Sequence, residues 1–382
     1  AKTGGLGCHF EPAGLCTEDE LYLRLPRHDH HFEFVTTAQL IVGFPQFTSA
    51  HYMYVVTESK RVGVLKGRGV YGIKKTELLP IAPPECNERS DSTGTGVGSN
   101  TSVTGNHVEE RRMRGLFLNI DLTDEFYFSY AYDLTNTLEV NMLRGAGGTH
   151  SKNLTEPKHV LRSNEYFVWN LHMLEPLVLG LEKTASPWIV PLIHGFFRQR
   201  RIGTTSRRTL TLTLVARRSR HFAGPRYLRR GADILGRVAN EVETEQILAD
   251  DAAFGGSGVY TSMVQVRGSI PLHWCHENLA HPKPDILLWK QDKSFQAANL
   301  HFDRLIRRYK EPVVVLNLIK QEESGRPKET MLFEEFTECI RYLNGTLYPH
   351  LYNQPKTDQT TNLLPPSPPP PAEKHTHPLT GA

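Results

Sequence analysis

Apolar and polar positions change rhythm several times along this chain, and each change predicts a different element. Residues 52–57, 61–65, 70–73 and 78–81 are short apolar runs separated by polar breaks, which reads as an antiparallel meander. Phe126, Phe128, Tyr130 and Tyr132 recur at a spacing of two, the mark of a half-buried strand. Asp133 is then placed to cap a short helix running to Met142, and residues 166–174 predict another helix, stopped by Pro176. Together these give an α+β region over roughly residues 30–180.

Longer elements follow. Leu210, Leu212, Leu214 and Ala216 alternate with threonines and Val215, predicting a strand that ends in Arg217-Arg218-Ser219-Arg220. Residues 259–266 predict a strand leading into Arg267-Gly268. Phe295, Ala298, Phe302, Leu305 and Tyr309 have helical spacing, residues 313–319 read as a buried strand, and Leu332, Phe333, Phe336, Ile340 and Leu343 mark a further helix. That α-β-α order predicts a layered α/β sheet covered by helices, a class in which ligands sit at strand ends. Two segments break the pattern. Residues 83–106 are rich in Ser, Thr, Gly and Asn and predict a disordered insertion. Beyond Pro349 the chain becomes proline-rich, predicting extended coil.

Charge changes the picture more than overall composition does. At 382 residues, 39% hydrophobic and 22% charged, the chain can bury a substantial core and is long enough for two or three domains. Its net charge is only +3, yet residues 184–232 carry eleven arginines and no Asp or Glu. A one-signed patch in a near-neutral chain concentrates anions, and guanidinium offers paired donors matched to phosphate. Arg226, Arg229 and Arg230 in this patch, with Arg267 between a strand and Gly268, are the candidate contacts to phosphate, and Arg217, Arg218 and Arg220 the candidates to face an anionic membrane. The competing readings make the patch a solvated basic face, or pair the first group with Glu241, Glu243 or Glu245 in a structural network, and leave Arg267 as part of a plain turn; Asn240 and Gln246 are read as satisfying buried backbone groups. A nucleic-acid partner is disfavoured, because no aromatic platforms interleave with the arginines and no helix-turn-helix or zinc pattern occurs.

Five cysteines, odd in number and never spaced as CxxC, predict free thiols, with no disulfide framework or zinc site. His28-Asp29-His30-His31 has metal-like composition but no ligand spacing, and reads as a solvated segment. Cys275, between two histidines, is the one thiol a nucleophile search would select, and its flanks read as a structural strand end. The longest apolar runs are too short to span a bilayer.

Several motifs act together. Arg226-Tyr227-Leu228-Arg229-Arg230-Gly231, followed by Gly236-Arg237-Val238-Ala239-Asn240-Glu241-Val242-Glu243-Thr244-Glu245-Gln246, resembles the signature of Sac-domain phosphoinositide phosphatases. So do Asp121-Leu122-Thr123, Tyr132-Asp133-Leu134-Thr135, Phe167-Val168-Trp169-Asn170, Leu192-Ile193-His194-Gly195-Phe196, Gln265-Val266-Arg267-Gly268-Ser269-Ile270-Pro271-Leu272 and Val315-Leu316-Asn317-Leu318-Ile319-Lys320, in family order across residues 34–345, about four fifths of the chain. The resemblance is nearest to the anchor-less branch acting on phosphatidylinositol 3,5-bisphosphate. It implies a segment 1–30, an N-terminal α+β Sac subdomain over 31–183 with an insertion at 83–112, a partial layered α/β catalytic subdomain over 184–348 and a tail over 349–382. It further implies attack by a Cys-x5-Arg thiolate with no cofactor or metal, phosphoinositide and anionic-membrane partners, a scaffold and lipid-kinase complex, and a peripheral place on endosomal or vacuolar membranes.

The chain departs from the family at that loop. The residues six positions after its cysteines are Gly14, Tyr22, Ser92, His281 and Gly345, none of them arginine. The expectation is a sequence truncated before the loop, with no catalytic residue of its own and no turnover. A shortened catalytic domain is also expected to leave apolar faces uncovered. The alternative is a phosphoinositide-binding or scaffold module without chemistry.

Overall fold

A computed structural model describes residues 35–48, 50–81, 101–146, 163–181, 190–203, 209–225, 228–250, 258–277, 284–290, 292–310, 312–321, 329–347 and 361–364. The expected solvated histidine segment at 28–31, the first part of the insertion, Arg226 and most of the tail lie outside those residues.

The chain divides into two compact units. The first comprises Ala1–Arg220 and Val242–Val266, the second His221–Glu241 and Arg267–Ala382. One hydrogen-bonded sheet runs through the first unit. That sheet has eight strands in sequence order: β1 (Leu40–Gly43), β2 (Tyr52–Leu65), β3 (Arg68–Pro80), β4 (Phe126–Phe128), β5 (Ile193–Gly203), β6 (Thr209–Arg218), β7 (Val242–Asp250) and β8 (Val259–Arg267).

The four runs expected as a meander are two long strands. β2 and β3 form one hairpin whose register runs from Tyr52↔Pro80 to Leu65↔Arg68. Its turn is Lys66-Gly67, both at positive φ (48° and 76°), the backbone that suits the twist of a two-residue hairpin. The polar breaks are positions where the strands meet solvent. Phe126 and Phe128 place β4 between β3 and β5, with both rings buried. Tyr130, part of the same alternation, is exposed.

The insertion is not wholly irregular. A helix, α1 (Thr101–Leu118), occupies its end, and Phe117 anchors it edge-on to Phe47 and Tyr54 at 5.3 and 5.1 Å. Helix α2 (Leu138–Ala146) begins later than expected. The Asp133 carboxylate accepts from Thr135 N–H, Thr135 Oγ1–H and Asn136 Nδ2–H, closing a turn before the helix. The helix is capped instead by Thr137, whose hydroxyl accepts from Val140 N–H, and by Glu245, which accepts from Leu138 N–H at 2.7 Å. Helix α3 (Leu171–Leu181) runs through Pro176. Losing one N–H bond there is offset by packing of Leu174, Leu177 and Val178.

The second unit keeps the expected α-β-α order: α4 (Gln296–Tyr309), β11 (Val313–Leu316) and α5 (Glu329–Leu347), but β11 is shorter than expected and is not buried, with Val314 and Leu316 exposed. Ala297, Ala298, His301, Phe302 and Leu305 form the buried face of α4, and Leu332, Phe336, Cys339, Ile340 and Leu343 that of α5. Its described strands are short and antiparallel. β9 (Trp274–Glu277) pairs with β10 (Asp285–Leu288), and β11 pairs with β12 (Thr361–Leu364), so four residues of the expected coil tail are a strand. The chain as a whole is mixed α/β with one large antiparallel sheet.

Candidate functional site

The arginine patch separates into two environments. Arg217, expected to face a membrane, has no exposure. On β6 the buried residues are Thr213, Val215 and Arg217, one face of the strand. Glu243 lies directly opposite Arg217 on β7 and Glu245 lies one diagonal step away, opposite Val215. The guanidinium donates Nη1–H to Glu243 Oε1 at 2.8 Å, Nη2–H to Glu245 Oε2 at 2.7 Å and to the Asn136 carbonyl at 2.9 Å, and Nε–H to the Leu134 carbonyl. Burial opposes its charge, but the two carboxylates outweigh that and hold its pKa above the usual arginine value. Of the three carboxylates in the competing reading, Glu243 and Glu245 thus pair with Arg217, and Glu241 pairs with Arg304 at 3.4 Å. The signal was available: two glutamates two residues apart on an apolar strand point to one face.

Arg218 and Arg220 are half-buried in the same unit. The Arg218 carbonyl accepts from Trp169 Nε1–H, and Arg220 donates Nε–H to the Glu165 carbonyl at 2.7 Å.

The headgroup candidates lie in the second unit, where one loop is folded back on itself. Gly231 and Ala239 are joined by a backbone hydrogen bond of 2.8 Å, and Ala232 bridges Val238. At the tip, Asp233 accepts from Leu235 N–H, Arg237 N–H and Arg237 Nε–H, while Gly236 N–H donates to the Asp233 carbonyl. Gly236 has φ 71°, and a Cβ there would lie 2.6 Å from the Ala297 carbonyl oxygen, so the tip is seated on α4.

Two hydrogen bonds then bring distant residues together. Gly231 N–H donates to Ser269 Oγ at 2.8 Å, and Ser269 N–H donates to the Ala239 carbonyl at 3.0 Å. Arg229-Arg230 and Arg267 thereby flank a hydrogen-bonded pair although they are well separated in sequence. Arg229 is exposed at φ 69°, with its guanidinium 5.3 Å above the Phe222 ring. Arg230 is half-buried and Arg267 exposed. Asn240 accepts from Gly224 N–H, matching its expected backbone role, whereas Gln246 is exposed on β7. Phe222 and Ser269 were not singled out by the sequence, because their roles depend on contacts across the fold.

Neither described cysteine resembles an activated thiol. Burial raises the pKa of Cys339 strongly and that of Cys275 as well, with Glu335 and Asp292 adding to the first and Glu277 to the second. Among the described residues no group of three His, Cys, Asp or Glu side chains could hold a metal ion, and no helix is long and apolar enough to cross a membrane. A cleft of about 230 Å³ in the second unit, lined by Ser294, Gln296, Asn299, Tyr342, Leu343 and Thr346, includes none of the candidate arginines.

A family model described as the SacI homology domain matches residues 39–362. The chain belongs to that family. Relatives within it include the "Phosphoinositide phosphatase SAC2" of Arabidopsis thaliana, 38% identical over 346 residues that make up 88% of this chain and 39% of the relative. The "Polyphosphoinositide phosphatase" of Schizosaccharomyces pombe is 41% identical over 325 residues, 82% of this chain and 35% of that protein. The "Phosphatidylinositol-3-phosphatase SAC1" of Arabidopsis thaliana is 37% identical over 314 residues, 82% of this chain and 31% of that protein. The chain therefore spans between about three and four tenths of the length of these Sac relatives. In this Sac chain the signature residues divide in two: Glu243 and Glu245 hold the sheet of the first unit, while in the second Arg229 is exposed, Arg230 half-buried and Gly231 buried.

Proposed function

We propose that this chain is the headgroup-binding part of a Sac-family phosphoinositide phosphatase. Arg229, Arg230 and Arg267, with Arg226 beside them in sequence, hold the phosphates of the inositol ring. The observation that carries the reading is the Gly231 to Ser269 hydrogen bond, which supports bringing Arg230 and Arg267 to one place. The printed activities of the relatives supply the ligand class. Phosphatidylinositol 3,5-bisphosphate is the preferred lipid. Arg218 and Arg220 face the anionic surface of an endosomal or vacuolar membrane, with a scaffold and lipid-kinase complex as protein partner.

The chemistry of such a phosphatase is thiolate attack from a Cys-x5-Arg loop. The helix N-terminus and the arginine favour the thiolate, backbone N–H groups cradle the phosphoryl oxygens, and an acid protonates the leaving oxygen. No cysteine of these 382 residues has that spacing, so the polypeptide by itself binds without turnover. The same observation favours a second reading, a module that binds phosphoinositides and performs no chemistry in any form.

Titration of the chain with soluble phosphatidylinositol 3,5-bisphosphate tests the binding. Each charge-assisted contact contributes about 1.5–3 kcal/mol, so Arg229→Glu with Arg267→Glu weakens binding by at least roughly tenfold. Unchanged affinity overturns the reading. Phosphate release by a longer form of the chain, and none by this one, separates the phosphatase from the binding-only module.

A further inference from the structure

The loop that carries Arg229 and Arg230 also carries three aliphatic residues that are more than half exposed. Leu228 is 54% exposed, Ile234 69% and Leu235 55%. Ile234 and Leu235 are the two corner residues of the turn closed by Gly236 N–H on the Asp233 carbonyl. Turn corners ordinarily hold Gly, Asn, Asp or Pro, because those residues are at ease there and tolerate water. Here the backbone conformation is fixed without help from the corner side chains. The Asp233 carboxylate accepts from two amides and from Arg237 Nε, and Gly236 is pressed against α4. The isoleucine and leucine are not part of the buried core of the described residues.

We propose that Ile234 and Leu235, together with Leu228, insert into the apolar edge of an anionic bilayer while the adjacent arginines meet the lipid headgroups. An aliphatic tip beside cations fits a lipid surface, whose apolar layer lies just beneath a negatively charged one. The choice of a bilayer over an acidic protein rests on the phosphoinositide reading above. In this arrangement the tip would add affinity that does not depend on the inositol ring, and it would orient the second unit with its arginines at headgroup level.

The experiment is co-sedimentation of the full 382-residue chain with vesicles of phosphatidylcholine, phosphatidylcholine with phosphatidylserine, and the latter with added phosphatidylinositol 3,5-bisphosphate. Wild-type protein is expected to bind the phosphatidylserine vesicles without any inositol lipid. Ile234→Ser with Leu235→Ser should lower that binding by at least roughly tenfold, since about two aliphatic side chains leave the membrane, while the affinity for a soluble inositol headgroup stays unchanged. Wild-type binding by the double variant overturns insertion. A gain on adding the inositol lipid that survives in the double variant supports headgroup recognition independently, and its absence in both proteins counts against that reading alone. As a second readout, Leu235→Trp should be quenched by lipids brominated in the acyl chain, and no quenching beyond that of wild type overturns the proposal even if the serine variant misfolds.

Discussion

Arg217 on β6 lies directly across the ladder from Glu243 on β7, guanidinium to carboxylate at 2.8 Å, with neither side chain exposed. Glu245 completes the pair at 2.7 Å and also receives the first amide of α2. One buried cation thus ties two adjacent strands, the 133–136 turn and a helix N-terminus together.

Removing that cation leaves two carboxylates buried without their partner. Arg217→Met is expected to cost about 3–5 kcal/mol, read as a lower urea midpoint. Replacing Glu243 and Glu245 by leucine in the same protein should recover part of the loss, because no buried charge then remains. A triple mutant that is no more stable than Arg217→Met would show that the network matters through its shape and not its charge.

His301 predicts a pH dependence in the second unit. Burial pushes its pKa down to about 3, and the nearby Arg304 adds to that, against a hydrogen bond with the Gly236 backbone. An exposed imidazole titrates near 6.5. Between these values the unfolded chain holds a proton that the folded chain refuses. Stability from this group is therefore complete above about 6.5 and falls as the pH drops toward about 3, by at most ~1.4 kcal/mol per pH unit. His301→Gln should flatten the urea midpoint against pH over that window. An unchanged slope would assign the effect to other groups.

Gly231 is required by its backbone as well as its size. It sits at φ 72°, and a Cβ would come within 2.7 Å of the Trp274 carbonyl oxygen. Gly231→Ala should cost at least ~1–2 kcal/mol from the left-handed conformation alone. Since Gly231 N–H is the tie to Ser269, faster amide exchange over residues 231–239 should accompany weaker inositide binding. Loss of binding with normal protection would mean that the tie is not what positions the arginines.

The thiols offer a direct check on the absence of an activated nucleophile. With its pKa raised and no exposure, Cys339 should react with iodoacetamide only after unfolding. Cys275, half-buried and also raised, should react slowly near neutral pH and faster at alkaline pH. Rapid labelling of Cys275 at neutral pH, seen by peptide mass, would revive it as a candidate.

The apolar patterns over residues 52–81, 126–132, 209–218, 259–266, 295–309, 313–319 and 332–343 were sufficient to locate β2, β3, β4, β6, β8 and β11, half of the described strands, and the two helices of the second unit. Period and spacing are local, and burial of one face enforces them. Motif order was enough to identify the Sac family. Tertiary structure decided that the four runs of residues 52–81 are two strands, since polar positions within a strand look like breaks until its partner is known. It also decided that the chain divides near residues 220, 241 and 266, and that Pro176 lies inside a helix. Above all it decided the fate of each arginine. Arg217, Arg229 and Arg267 carry the same charge in the sequence, but the first is a guanidinium buried against two carboxylates and the other two stay exposed. That distinction depends on strand register and on which loops meet, and both are set by contacts between residues far apart in the chain.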